Sequence, residues 1–300
     1  MGVPWIASPP AVAKVAHRLA RALAAPAATY EAFRVADRIV GWLTPERAQR
    51  LARWPELFER GTRGVECSPR LRTPEARTAA LAEVARTLAA EGALSAWRDE
   101  RYAVPAGRAG PPLFELERAA ARYFGVHTLA AHANGLVGSD AEWRMWLARR
   151  SATKAIDPGL LDNLVGGGIA SGTTVSATIV REAWEEAGIG ADFARQAQCV
   201  GAVEICRDQP DGLQHETIHV HDLWLRPDFV PTNRDGEAVE HRLCAPDDIL
   251  AVLATDDITA DASLVIVDFM LRHGHVAPDD PNLGQLEALR HPPESCLHCS

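Results

Sequence analysis

Lysine is almost missing from this chain. Only Lys14 and Lys154 occur among 31 basic residues, so arginine carries nearly all the positive charge. Bases are also outnumbered: 40 acidic residues leave a formal net charge of −9, which argues against nucleic acid or an anionic membrane as the main partner. No apolar run reaches the ~18 residues of a membrane span. The early stretch AVAKVAHRLARALAAPA is interrupted by Lys14, Arg18 and Arg21, so it lacks a secretory core. The expectation is a soluble, cytoplasmic chain. Cysteine is sparse and scattered (Cys67, Cys199, Cys206, Cys244, Cys296 and Cys299), which excludes a disulfide framework. The terminal Cys-Leu-His-Cys holds one CxxC pair with no second pair at metal-ligand spacing, and reads as incidental thiols rather than a zinc site.

What remains is ample apolar content over 300 residues, enough for one large domain or two smaller ones. The pattern changes part-way along. In the first part, WLTPERAQRLARWPELF and RTPEARTAALAEVARTLAAEG each open on Thr-Pro (Thr44/Pro45 and Thr73/Pro74), the N-cap and first-turn signature of a helix, and Gly92 closes the second. A loose stretch from Val104 to Pro112 follows, and FELERAAARYFGV reads as one more short helix. From about His127, HTLAAHANGLV and EWRMWLARR read as strands around a Gly-Ser-Asp turn. QCVGAVEICR and ETIHVHDLWL form a second hairpin around DQPDG, and DDILAVLA and SLVIVDFMLRHG read as helices. Strands, helix, strands, helix describe a mixed α/β sheet flanked by helices. The expected divisions are a mainly helical N-terminal region over 1–125, an α/β domain over 126–275 and a tail over 276–300.

One segment concentrates acid. In GGGIASGTTVSATIVREAWEEAGI, from Gly166 to Ile189, Glu182, Glu185 and Glu186 crowd together just before a glycine. Read as a helix from Thr173 (N-cap) to Ala187, with Gly188 at C′ and Val180, Trp184 and Ala187 as its apolar stripe, it places all three carboxylates on one face. Like charges at that spacing repel by a few tenths of a kcal/mol per pair, and Arg181 offsets only part of it. Either the face is merely solvated or it holds a hard cation such as Mg²⁺.

A second motif misleads. His215-Glu216-Thr217-Ile218-His219 spells the zinc-protease pattern, but that chemistry needs a helix. This run follows a Pro-Asp-Gly turn and alternates β-branched residues, so it reads as a strand, on which four residues span about 13 Å.

Gly167, five residues, Thr173, seven residues, then Arg181-Glu182-Ala183-Trp184-Glu185-Glu186-Ala187-Gly188-Ile189 resembles the Nudix box, G-x5-E-x7-REUxEExGU with U aliphatic. Thr173 stands where the box has its first glutamate, and Ala183 is small for the first U. Residues 114–126, 146–169 and 228–240 further resemble the Nudix branch related to the N-terminal part of fungal thiamine pyrophosphokinase, whose members carry a helical region before the hydrolase domain. The resemblance implies a Nudix α/β/α sandwich with a mixed sheet, and hydrolysis of a diphosphate on an organic group. Thiamine diphosphate or a damaged analogue is the expected small-molecule partner. It implies Mg²⁺, replaceable by Mn²⁺, on Glu182, Glu185 and Glu186. Arg181 and Glu185 would assist, and the general base would be Glu186 or a later acid, Glu237 or Glu240. Lys154, Arg149, Gly167 and Gly168 would meet the phosphates. Asn163 is a substrate contact or a turn residue, and Trp146, Trp184 and Trp224 are candidates for an aromatic wall. The alternatives are another nucleoside or organic diphosphate as substrate, or a non-catalytic binding module of the same fold.

Overall fold

The computed structural model describes residues 5–107 and 110–292. Cys296 and Cys299 of the terminal CxxC lie outside them.

The chain begins with helix α1 (Pro9–Ala22), followed by strands β1 (Glu31–Val35) and β2 (Arg38–Leu43). Helix α2 (Pro45–Leu51), strands β3 (Phe58–Gly61) and β4 (Gly64–Cys67) and helix α3 (Pro74–Ala90) come next. The two Thr-Pro starts behave as expected: Thr44 accepts from Arg47 N (3.4 Å) and Thr73 from Ala76 N (3.2 Å). A hairpin of β5 (Arg101–Pro105) and β6 (Pro112–Glu117) leads to the single turn α4 (Ala121–Phe124), so FELERAAARYFGV divides between strand and helix. The region thus carries its helices and adds a four-stranded sheet, ordered β2-β1-β4-β3, that the sequence reading did not foresee. Its strands are four to six residues long and interrupted by Arg and Gly, too short for alternation to register. Phe33, Phe58, Phe114 and Phe124 cluster with Leu81 and Leu88 of α3 as its core.

The second part is built on β7 (His127–Ser139), β8 (Glu142–Arg150), β9 (Leu161–Asn163) and β10 (Val165–Gly168). Helices α5 (Val175–Ala187) and α6 (Ala191–Ala194) follow, then β11 (Gln198–Gln209), β12 (Gly212–Leu225) and β13 (Ala238–Cys244). Helices α7 (Pro246–Leu253), α8 (Ala260–Arg272) and α9 (Leu283–Leu289) complete the chain. The sheet runs β11-β12-β7-β8-β13, with β10 on β7 and β9 on β8; only β12 and β7 pair in parallel. Both predicted hairpins are present. Helix α5 covers one face through Ile179, Ala183 and Ala187. The other face is covered by α7, α8 and α9, with Trp143, Leu147, Ile266 and Phe269 in that layer.

Helix α1 belongs to this second layer. Its Leu19 packs with Leu136 and Ile266, and Arg18 donates to Ser263 Oγ (2.7 Å) and Ile258 O (2.5 Å). The stretch beyond 275 is also more than a tail: α9 buries Leu286, and Arg290 binds Asp268 Oδ1 at 2.7 Å. Among the described residues no helix is long and apolar enough to cross a membrane.

Candidate active site

Helix α5 starts one residue later than Thr173 would cap it. Thr174 is the N-cap, accepting from Ala177 N at 3.1 Å, while the Thr173 hydroxyl donates to Ala170 O across the preceding loop (2.6 Å). Gly188 ends the helix at φ +69°, a conformation glycine adopts without strain. The inner face also differs from the expected stripe. Trp184 is 48% exposed, with the Arg234 guanidinium 3.9 Å from its ring centroid, and the buried set is Thr178, Ile179, Glu182, Ala183, Glu186 and Ala187. The helix therefore turns two of its three glutamates toward the sheet and leaves Glu185 at the rim.

What those glutamates meet is the glycine strand β10. Glu182 lies against Gly167 so closely that any side chain there would collide with the carboxylate. Glu186 Oε2 accepts from Gly166 N at 2.8 Å. Glu182 and Glu186 are 7% and 9% exposed. Burial pushes the Glu182 carboxyl up to about 7, against the pull of Arg181 at 2.7 Å. Glu186 is raised well above its ordinary value, by burial first and then by the charge of Glu182. Lys154 Nζ stands 3.8 Å from Glu186 and pairs with Glu237. Burial works to raise Glu237, yet hydrogen bonds from Arg98 (2.8 Å) and Lys154 hold it at about 2. Glu185 is tied to Arg181 at 3.2 Å.

Apart from Glu186, these groups open onto a cavity of about 470 Å³, within the range of small-molecule sites. Gly166, Gly167, Gly168, Glu182, Glu185, Arg181, Lys154 and Glu237 all line it. Asp157, Glu216, Asp261, His132 and His215 also line it.

Not every predicted residue arrives. Arg149 and Glu240 are register partners on β8 and β13, and both turn away. Arg149 forms a bidentate pair with Asp257 (2.9 Å twice), and Glu240 bonds Arg242. Successive strand side chains face opposite sides, so it is Arg150 that lines the cavity, paired to Asp162 at 2.7 Å. The later-loop acid that reaches the site is Glu237, not Glu240. Asn163 ends strand β9 and does not line the cavity: it is 2% exposed, holding His132 (2.9 Å) and Asn134 (3.1 Å). No tryptophan walls the cavity, because Trp146 and Trp224 pack into the layers on either side of the sheet. The His215–His219 run is a strand, and among the described residues no three His, Cys, Asp or Glu side chains are grouped as a formed metal site. Nonetheless His215 and Glu216 line the cavity, a role its protease-like spelling concealed. Tyr102, Arg118 and Arg122 line it as well; sequence reading missed them because nothing local links them to the glutamate helix.

Comparison with known proteins decides the family. Nudix hydrolase 20, chloroplastic, of Arabidopsis thaliana is 35% identical over 257 residues, covering 82% of this chain and 69% of its own length. Nudix hydrolase 24, chloroplastic, of the same plant is 36% identical over 261 residues, covering 86% and 71%. The chain is a Nudix hydrolase. Its NUDIX domain match spans residues 128–265, and a domain of unknown function, DUF4743, matches residues 12–128. Among solved structures, DR0079 from Deinococcus radiodurans aligns with a TM-score of 0.42 at 22% identity, covering 56% of this chain and 98% of its own.

Nudix hydrolases use divalent metals such as Mg²⁺, and the donor set fits a hard cation in kind. All three glutamates offer oxygen, the ligand Mg²⁺ takes. Two of them are desolvated with raised carboxyls, the signature of buried acid whose neutralising charge is incomplete.

Proposed function

We propose that this Nudix hydrolase cleaves the diphosphate of thiamine diphosphate, or of an oxidised or oxo analogue, to the monophosphate and phosphate in a Mg²⁺-dependent reaction. The observation that carries the hydrolase reading is the buried pair Glu182 and Glu186, held against the glycine strand, with Glu182 lining a 470 Å³ cavity. Mg²⁺, held by Glu182, Glu185 and Glu186, would neutralise the diphosphate and acidify a water.

The rest of the chemistry belongs to the chain. Gly166 and Gly167 let a diphosphate approach the backbone. Lys154 and Arg181 supply cations for its oxygens. Glu186 Oε1, the oxygen not occupied by Gly166 N, accepts the proton of the attacking water. Water adds at phosphorus, the bridging P–O bond breaks, and phosphate leaves with the organic monophosphate.

The thiamine assignment is supported by the resemblance of residues 114–126, 146–169 and 228–240 to the thiamine-related branch. The cavity lining adds to it, since Asp157, Glu216 and Asp261 are acids that a cationic ring can meet. Phosphate release should be screened over thiamine diphosphate, its oxidised and oxo analogues, ADP-ribose and nucleoside triphosphates, with Mg²⁺ and with EDTA. The expected result is Mg²⁺-dependent release that is fastest with a thiamine derivative. A kcat/KM about tenfold higher for ADP-ribose or a triphosphate, a difference of about 1.4 kcal/mol in transition-state binding, overturns the thiamine assignment and leaves the hydrolase.

A further inference from the structure

The cavity has a wall that does not come from the NUDIX match. Among the described residues, three of its six arginine and lysine residues, Arg98, Arg118 and Arg122, precede β7, and so does its one tyrosine, Tyr102 on β5. Tyr102 is 7% exposed, and its hydroxyl lies against Gly168 so closely that a side chain on that glycine would collide with it. Buried tyrosines ordinarily spend their hydroxyl on a partner. This one makes no hydrogen bond with another described residue. Its ring is fixed: the Arg118 guanidinium lies 5.8 Å from the centroid and is itself anchored to Glu100 at 2.7 Å.

The same hairpin grips the loop that follows the glycine strand. Ser171 N donates to Arg101 O at 2.7 Å, beside Tyr102, and Ser171 Oγ donates to Glu115 Oε1 at 2.6 Å. One side of the glycine run is therefore set by α5 and its glutamates, the other by β5 and β6. A hydroxyl fixed at Gly168, with Arg118 and Arg122 as well as Glu100 and Glu216 around it, has the geometry of a donor to an anion.

We propose that Tyr102 is a substrate-binding residue whose hydroxyl donates to a diphosphate oxygen lying over Gly167 and Gly168. The N-terminal region is then a working wall of the active site rather than an appendage. The proposal rests on the hydrolase reading above. Burial raises the phenol's pKa, which keeps it a donor at every pH where the enzyme would act.

Tyr102→Phe tests it, because the ring and its packing stay and only the hydroxyl goes. The readouts are KM and kcat on the best diphosphate found in the screen, calorimetric binding of methylenediphosphonate with Mg²⁺, and the melting temperature. The expected result is affinity for methylenediphosphonate weaker by about tenfold or more, as for a hydrogen bond to a charged group, with KM rising in step and melting unchanged. Affinity and kcat/KM within about twofold of wild type overturn the proposal, since that is less than one such bond. If the variant melts early, binding measured below both transitions decides in the same way. A wild type that cleaves and binds no diphosphate fells the hydrolase reading and this proposal together. Normal wild-type turnover with an indifferent Tyr102→Phe fells only this one.

Discussion

Two pairs of buried acids flank the same sheet and are treated in opposite ways. Asp222 and Asp268 are each 4% exposed, and each is fully answered. Arg272 binds Asp222 at 2.8 Å and Asp268 at 2.7 Å, Arg290 takes the other oxygen of Asp268 at 2.7 Å, and Asn134 donates to Asp222 at 3.0 Å. That network ties α8, the stretch after α9 and the sheet together. Glu182 and Glu186 are almost as buried, yet Glu186 has one backbone donor and a lysine at 3.8 Å, and Glu182 has one arginine. The first pair sits in a closed layer and serves stability. The second reaches a cavity through Glu182 and keeps capacity for a ligand. Burial of charge alone distinguishes neither; the completeness of its neutralisation does.

The contrast breaks most sharply at Glu186. Glu186→Gln should lower kcat by about a hundredfold or more, because metal stabilisation of the transition state is worth several kcal/mol. The variant should melt no lower than wild type, since it removes one charge from a repulsive pair. Near-normal kcat, measured by phosphate release, would falsify the assignment of α5 as the metal face.

The mirror experiment is Asp268→Ala. It leaves Arg272 and Arg290 without a shared acceptor and should cost about 3 kcal/mol of unfolding free energy in urea, the scale for breaking a buried pair. Turnover of the folded fraction should hold. Loss of kcat with stability intact would reverse the roles given to the two pairs.

A subtler difference appears with pH. The Glu182 carboxyl is raised to about 7 in the folded, metal-free protein and lies near 4.5 when unfolded. Between those values the folded state binds more protons, so this carboxyl's contribution to stability falls as pH rises from about 4.5 to about 7, and the raised Glu186 acts in the same direction. Mg²⁺ competes with that proton, and its stabilising effect should grow across the same window. Melting scans at pH 5 and pH 8, with EDTA or Mg²⁺, check this; a Mg²⁺ shift equal at both values counts against it.

The smallest effect is expected where the sequence pointed and the fold declined. Glu240→Gln should leave kcat/KM within about threefold, since an exposed ion pair contributes little. A hundredfold loss would return Glu240 to the chemistry, whereas Glu237→Gln is the substitution expected to matter.

Much of this was legible in the chain itself. The glycine run, the Arg-Glu-x-x-Glu-Glu-x-Gly core and the two hairpins each rest on contacts within about twenty-five residues, where spacing and turn chemistry carry the information. The strand under His215 and His219 was readable for the same reason: β-branched alternation after a turn outweighs a five-residue motif. The short strands β1 to β4 were not, because four to six residues mixed with Arg and Gly have no distinct period.

What the tertiary structure alone decided is which neighbour of a pair faces the cavity. Arg150 rather than Arg149 follows from the two-residue period of β8, under which a shift of one reverses the face, and Glu237 rather than Glu240 reaches the cavity from the turn before β13, where Arg98 and Lys154 hold it. The inward turn of Glu182 and Glu186 was likewise set by packing of Ile179, Ala183 and Ala187 on the sheet, not by the bulk of Trp184. Tyr102 and Arg118 lie more than sixty residues before the glutamates, and only docking of the β5–β6 hairpin on the glycine loop brings them there. Sequence alone determined the chemistry on offer, because that resides in residue types at local spacing. The fold decided which of those groups meet, because burial and register act between segments that the chain keeps far apart.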